Sequence, residues 1–460
     1  MPAVRAGFPR TIASTAAVAF AGQLLTHALA LLGTLIISRA LGPSGRGELA
    51  VALAAATSFA AVCFISLEFA NTYFFAQKQL DLRAIARVAT TAALLLAPAA
   101  LLLQFVFFVG ARDTVFAGVG TVAVLVAALT VPFSMHLNWL MGLFQLGSRL
   151  VRSQAAMAAG AAAQFIGAVV LALIGQLTVV TALLLYALKV AVAWLLHLVW
   201  GASFLTLRPS RDRSVVARVM TYGLRLHPAF LLWFLLLRVD ILLVNAVLGT
   251  RAAGLYSITV VVAEVILILS TPLAAAVLPS QAAGDIGHSA VLTFKAVRIT
   301  CLLAAALSVI FAGTMWFLIP LVFGSEFAPA YDALLALLPG IVCMAAYRPL
   351  YNWLLRDGRA GRMTAITATA FAANVILNLL LLPLFGIVGA GIASFIAYAA
   401  LAAALIAWGL RLGGLGVREA LLPRREDVES FRRQARLALP LVRRMTLARQ
   451  KTPAPPDAPG

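Results

Sequence analysis

The stretch Leu236–Ser257, LLRVDILLVNAVLGTRAAGLYS, decides how this chain must fold. An apolar run long enough to cross a bilayer carries Arg238 and Asp240, turns through Leu248-Gly249, and re-enters a second apolar run that holds Glu264. Each charge is disfavoured by roughly 2.5–3.5 kcal/mol at the centre of a membrane helix, so charges kept at that depth line a protein-enclosed or water-filled path. This reading requires a membrane protein, and the composition agrees with it. The chain is 63% hydrophobic and 11% charged, with a mean hydropathy of +1.01, whereas soluble domains carry about 25% charged residues.

Working outward from this stretch, apolar segments lie near residues 12–39, 48–75, 88–110, 114–141, 153–175, 178–204, 219–248, 252–280, 292–322, 331–355, 363–384 and 387–410. Each reaches the roughly 20 residues that span about 30 Å of hydrocarbon. The expected fold is therefore all-α and polytopic, with twelve transmembrane helices. The first run is too long for a signal-peptide core and is read as a retained span.

Lysine and arginine set the orientation. They cluster on alternate connections: Arg5 and Arg10; Lys78, Arg83 and Arg87; Arg149 and Arg152; Arg208 to Arg225; Lys295 and Arg298; Arg356, Arg359 and Arg362; and the tail from Arg411 to Lys451. The other set holds only Arg39, Arg46, Arg112 and Arg251. Positive residues stay on the cytoplasmic side, so both termini are expected there. A net charge of +19 distributed in this way argues against nucleic-acid binding, which needs a basic patch gathered on one domain.

The chain also repeats. Leu41-Gly42 followed by Gly47 matches Leu248-Gly249 followed by Gly254 at a shift of 207 positions; Pro132 and Pro339 keep that shift, and Asn138-Trp139-Leu140 recurs as Asn352-Trp353-Leu354. Two like-oriented halves with a central cavity between them follow: an N-lobe at 1–204, a cytoplasmic connector at 205–218, a C-lobe at 219–410 and a basic tail at 411–460.

Cys63, Cys301 and Cys343 sit in apolar runs without partners at metal-ligand spacing, and no metal site is expected. No cofactor is expected either. Among charges within or beside spans, Arg238 and Lys189 fall near mid-membrane, Arg348 nearer the cytoplasmic side, Arg39 near the outer end of the first span, and Glu68 late in the second. Arg238 and Asp240 are two positions apart and point to different sides of a helix. Counted from the turn near Thr250, Arg238 lies about 12 residues back and Glu264 about 14 forward, within roughly 3 Å of one depth. They are expected to pair, leaving Asp240 as a proton or sodium site. Static roles stand beside each of these: snorkelling for Arg39 and Arg348, stem packing for Lys189, an interfacial anchor for Glu68, and structural ion pairing for Arg238, Asp240 and Glu264. Asn374 and Asn378, one turn apart, should hydrogen-bond between helices.

Four stretches carry a family resemblance: SRALGPSGRGELA from Ser38, RVDILLVNAVLGTRAAGLYS from Arg238, IPLVFGSEFAPAYDALLALLPG from Ile319 and LNLLLLPLFGIVGAGIAS from Leu377. In order and spacing they resemble the multidrug/oligosaccharidyl-lipid/polysaccharide (MOP) flippase superfamily, in its Wzx-like polysaccharide-biosynthesis, O-unit flippase branch. The resemblance implies a V-shaped, two-lobed transporter of the bacterial cytoplasmic membrane, working by alternating access on an undecaprenyl-diphosphate-linked oligosaccharide; the longest loop outside the tail, roughly Leu205 to Val219, has neither folded-domain length nor paired carboxylates, so no enzyme activity is expected. Such a cargo needs a cationic, hydrated interior, and arginine suits a diphosphate because its planar fork binds two oxygens. The expected headgroup contacts are Arg238, Lys189, Arg39 and Arg348; the expected coupling or gating groups are Asp240, Glu264 and Glu68, with H+ or Na+ as the ion. A lipid II flippase and a multidrug or cation antiporter of the same superfamily are the alternatives. The tail, with Arg424, Arg425, Arg432, Arg433, Arg436, Arg443 and Arg444, should lie on anionic membrane lipids or dock a polysaccharide polymerase and glycosyltransferases.

Overall fold

The computed structural model describes residues 10–283 and 285–422, with side chains at 18, 20–268 and 285–422. The tail arginines from Arg424 onward lie outside the described residues. Within them the chain is helical with no strand. In order the helices are α1 (Arg10–Cys63), α2 (Leu67–Ala76), α3 (Leu82–Gly110), α4 (Thr121–Leu129), α5 (Val131–Leu146), α6 (Leu150–Leu173), α7 (Val179–Gly201), α8 (Arg213–Leu236), α9 (Val239–Leu248), α10 (Thr250–Ala283), α11 (Ile286–Phe323), α12 (Ala330–Met344), α13 (Tyr347–Leu354), α14 (Ala360–Gly413) and α15 (Val417–Leu421).

Among the described residues, ten helical stretches are long and apolar enough to cross a membrane. Two of them, α1 and α14, fold back at a non-helical glycine, Gly42 (φ 64°, ψ 179°) and Gly386 (φ 58°, ψ −143°), where a side chain would be strained. Neighbours show the reversal. Gly22 packs on Gln154 and Ile65 on Gly223, close to the basic connections, whereas Gly42 and Gly47 meet Glu326 and Thr250 at the other end. In α14, Asn378 and Ser394, eight positions either side of Gly386, both reach Asp240. The passes among the described residues therefore number twelve, with α1 and α2, α4 and α5, α8 and α9, and α12 and α13 sharing spans. The end carrying the basic connections is called the basic face below, and the opposite end the distal face.

Large apolar side chains point outward along these helices: Leu102 is 63% exposed, Val309 73% and Leu384 72%. A soluble surface does not tolerate such a belt, and a bilayer requires it. Inside, one core forms around Trp139, Phe144 and Leu183, another around Phe294, Trp353 and Leu405. The chain passes from one to the other along α8, whose Val216 and Val219 join the first core while Ala229 and Leu236 join the second. That helix begins at Arg213, capped by the Asp212 carboxylate accepting from the backbone N–H of Ser214 and Val215. Its first turn thus lies within the expected connector, 205–218. A third cluster, with Val51, Phe116 and Val124 facing Ile241, Tyr256, Ala333 and Leu382, joins the two halves near the distal face.

Candidate functional site

Seven charged residues were singled out by the sequence, and their surroundings separate them sharply. The span carrying Arg238 is not one helix. It breaks at Leu237–Arg238, and Arg238 (φ −125°, ψ −27°) is the N-cap residue of α9. From that break its guanidinium meets the Glu264 carboxylate with both prongs, Nη1 to Oε1 at 3.1 Å and Nη2 donating to Oε2 at 3.3 Å. Depth matching across the Gly249 turn anticipated this pair.

The pair borders a cavity of about 360 Å³ between the halves, walled by α1, α7, α8, α9 and α10. Lys189, on α7, shares it, with Nζ 5.6 Å from the Tyr186 ring centroid. So does Arg46, which the sequence had grouped with the outer-turn arginines. Gly42 folds α1 so tightly that Arg46, one turn further on, already projects inward, 8% exposed, its Nε donating to Ser257 Oγ at 3.1 Å. Ser257 in turn donates to the Gly254 carbonyl oxygen at 2.8 Å. The cavity therefore holds three cations and one carboxylate, and that carboxylate is taken by Arg238. Neither Arg46 nor Lys189 has a carboxylate partner among the described residues. Two further hollows share walls with it: one, across Tyr186 and Lys189, is lined by Ser134 and Asn138, and the other, across Glu264, lies between α1 and α10 beside His27 and Thr34.

Three expected site residues lie elsewhere. Arg39 is exposed, its Nη1 donating to the Leu321 carbonyl oxygen at 3.4 Å. Arg348 is exposed, its Cζ 5.8 Å from the Trp233 ring centroid. Both are long side chains that stay outside the cavity wall. Glu68 opens α2 beyond a break in the second span, where Ile65 and Ser66 are left-handed (φ 45° and 46°). Its Oε2 is buried with no hydrogen-bond partner among the described residues.

Asp240 sits behind the cavity wall rather than on it, 3% exposed. Its carboxylate accepts from Tyr256 Oη at 3.0 Å, from Asn378 Nδ2 at 3.0 Å and from Ser394 Oγ. Asn374 Nδ2 donates to Ser394 Oγ at 3.4 Å, and Asn378 Nδ2 also reaches the Asn374 carbonyl oxygen at 2.9 Å. The expected bonds of the two asparagines are thus present, but they centre on Asp240. Two buried oxygens of this cluster, Asn374 Oδ1 and Asn378 Oδ1, have no hydrogen-bond partner among the described residues. The histidines of the spans have ordinary roles: His136 accepts from Trp194 Nε1 at 3.1 Å, and His197 bridges Ser153 Oγ and the Ala193 carbonyl oxygen.

At the distal face the halves are shut against each other. A Cβ at Gly47 would stand 1.7 Å from the Thr250 carbonyl oxygen, and one at Gly254 1.8 Å from that of Pro43. The two clashes are the same contact under the shift of 207, so the closure has two-fold character. Asn245 Nδ2 adds bonds to the carbonyl oxygens of Val115 (2.8 Å) and Ala117 (3.1 Å).

No protein-family model and no curated protein matches the sequence. Solved structures do. An inward-facing multidrug resistance MATE family transporter of the MOP superfamily superposes with a TM-score of 0.64 at 16% identity, over 84% of this chain and 95% of that one. The lipid II flippase MurJ, in an inward closed conformation, gives 0.64 at 10% identity over 86% and 88%. A MOP superfamily transporter from Pyrococcus furiosus, described as having a binding pocket of reverse polarity that suggests a different function, gives 0.60 at 14% identity over 88% and 95%. The chain is a multi-pass membrane protein with the fold these transporters share.

Proposed function

We propose that this protein is a MOP-type transporter that flips an undecaprenyl-diphosphate-linked oligosaccharide of cell-envelope glycan synthesis, of the Wzx-like kind, by alternating access. The observation that carries the reading is the charge balance of the central cavity: Arg46, Lys189 and Arg238 against Glu264 alone. A diphosphate satisfies two free cations in one contact, and Arg46 and Lys189 come from the first half of the chain while Arg238 comes from the second. An organic cation would meet net repulsion there, which disfavours drug export. Lipid II carries the same diphosphate, and the likeness to MurJ makes it the second reading.

The Asp240 cluster holds the coupling ion. Its carboxylate, with the Tyr256 and Ser394 hydroxyls against it, would take a proton, and Na+ would be held there once the two amides turned their oxygens inward. Glu264 links cargo to coupling, because an anion arriving at Arg238 competes with it. The basic face lies in the cytoplasm with both termini, in the bacterial inner membrane. The tail meets anionic lipids or docks the polymerase and glycosyltransferases that make and use the cargo.

Reconstitution tests the cargo. In proteoliposomes loaded asymmetrically with a fluorescent polyprenyl-diphosphate oligosaccharide, the protein should expose the sugar to a glycosidase on the other side, and Arg46→Gln or Lys189→Gln should slow this. Transport of an ethidium-like cation with none of the lipid-linked sugar would sink the reading; faster movement of lipid II than of other glycans would select the second one.

A further inference from the structure

Away from the cavity, on the lipid side of the first half, a hollow of about 340 Å³ lies between α3 and α4. Leu101, Phe105, Phe108, Val122, Leu125 and Leu129 wall it, and its rim faces the bilayer, with Phe105 56% and Leu129 63% exposed. Among the described residues lining it, Gln104 alone is polar. Gln104 is 1% exposed, and neither its Oε1 nor its Nε2 has a hydrogen-bond partner among the described residues. An amide left unpaired in hydrocarbon is costly, and a polar side chain kept at such a place marks a binding partner. Gln104 stands six residues before Gly110, the distal end of α3, and so about 9 Å inside the apolar belt. Arg112 and Asp113, both exposed, follow at the surface.

We infer that this hollow seats a neutral lipid of the distal leaflet bearing a single hydroxyl, of the diacylglycerol kind, with the hydroxyl on Gln104, and that the occupant braces the distal closure. Depth and bonding choose the ligand. A charged or zwitterionic headgroup stays at the membrane surface, whereas the group that meets Gln104 lies about 9 Å below it. A hydroxyl supplies both missing bonds, accepting from Nε2 and donating to Oε1. Water is a poor substitute, because it needs roughly two to four polar partners and this wall offers one side chain. The hydroxyl of a diacylglycerol carries no headgroup to hold it at the surface, and its chains stay in the bilayer beyond the rim. Both walls of the hollow lead to the closure. Phe108 meets Phe116 edge-on with ring centroids 5.2 Å apart, and the carbonyl oxygens of Val115 and Ala117, on either side of Phe116, hold Asn245 of the other half. From the α4 side, the Gly120 N–H donates to Glu48 Oε1 at 2.8 Å, next to Gly47. An occupant that fixes the spacing of α3 and α4 therefore fixes the segment that closes against the second half, whichever cargo the cavity takes.

The full-length protein in phosphatidylcholine nanodiscs tests the site. Adding dioleoylglycerol should raise the melting temperature of wild type by about 2–4 °C and leave that of Gln104→Leu unmoved. Gln104→Leu should itself fold, since an apolar side chain of similar size removes the unpaired amide. Leu125→Trp, which fills the hollow and keeps Gln104, should lose the shift as well, and dioleoylglycerol acetylated at its hydroxyl should give none. Equal shifts in wild type and Gln104→Leu, or a shift from the acetylated lipid, would mean a change in the bulk bilayer and would overturn the site. Leu129→Cys forming a disulfide between copies in liposomes, with no response of wild type to the lipid, would assign the hollow to a second copy of the chain and overturn it too. For the bracing, spin-label distances between the 111–120 and 324–329 loops should narrow with dioleoylglycerol in wild type and not in Gln104→Leu. Distances indifferent to the lipid while the melting temperature rises would overturn that part of the inference.

Discussion

Arg46, Lys189 and Arg238 differ in what holds them, and the difference separates their roles. Arg238 is neutralised by a two-pronged contact with Glu264, each side chain about one third exposed to the cavity. Removing one member leaves the other charged in a poorly hydrated space, so Arg238→Gln should destabilise the protein by about 1–2 kcal/mol after discounting for solvent. Arg238→Gln with Glu264→Gln should recover that stability in detergent melting but not the transport rate. Recovery of both would make the pair a static tie between α9 and α10. Asp240 poses the second question at this scale. If its carboxylate with Ser394, Asn374 and Asn378 holds Na+ or H+, sodium or acid should raise the melting temperature of wild type and not of Asp240→Asn, since a ligand bound only to the folded state stabilises it. A wild-type melting temperature indifferent to both ions would assign the cluster to packing alone.

The pairing of Arg238 with Glu264 was legible from the chain because a turn at a known place fixes the depth of residues on both sides of it. Arg46 was hidden by the same logic misapplied. It follows a turn, so it reads as an outer-face arginine, whereas the hairpin at Gly42 points it inward at once and the α10 serine that receives it is 211 positions away. Asp240 could be recognised as buried charge, but its partners on α14 are 138 and 154 positions distant and nothing local marks them. At the element scale the repeated Leu-Gly turn was readable, and its consequence became visible only in space, where each half's glycine meets the other half's carbonyl oxygen. No side chain fits there, and the obstructing atoms are backbone. Gly47→Ala or Gly254→Ala should therefore penalise the distal-closed state by about 1–3 kcal/mol, a roughly 5- to 150-fold shift toward distal opening. Distance measurements between spin labels on the 111–120 and 324–329 loops would read it. Unchanged distances in both variants would show that these helices do not separate during transport.

For the molecule as a whole, the cations of the cavity are divided between its halves, and this division makes a prediction that none of the residues makes alone. A ligand that binds across both halves stabilises the arrangement in which they approach, whereas a ligand bound to one half has no such effect. A diphosphate offers oxygens to Arg46 and Lys189 on one side and to Arg238 on the other; a monophosphate has fewer with which to bridge. Polyprenyl diphosphate without sugar should thus raise the melting temperature more than polyprenyl monophosphate, and the excess should vanish in Arg46→Gln with Lys189→Gln, where only one half keeps a cation. It should also survive moderate salt, because the cavity is walled by protein and screening acts mainly on exposed charges. Equal shifts from the two lipids, or an excess that persists in the double variant, would mean that the phosphates bind outside this cavity and that its positive charge serves some other purpose.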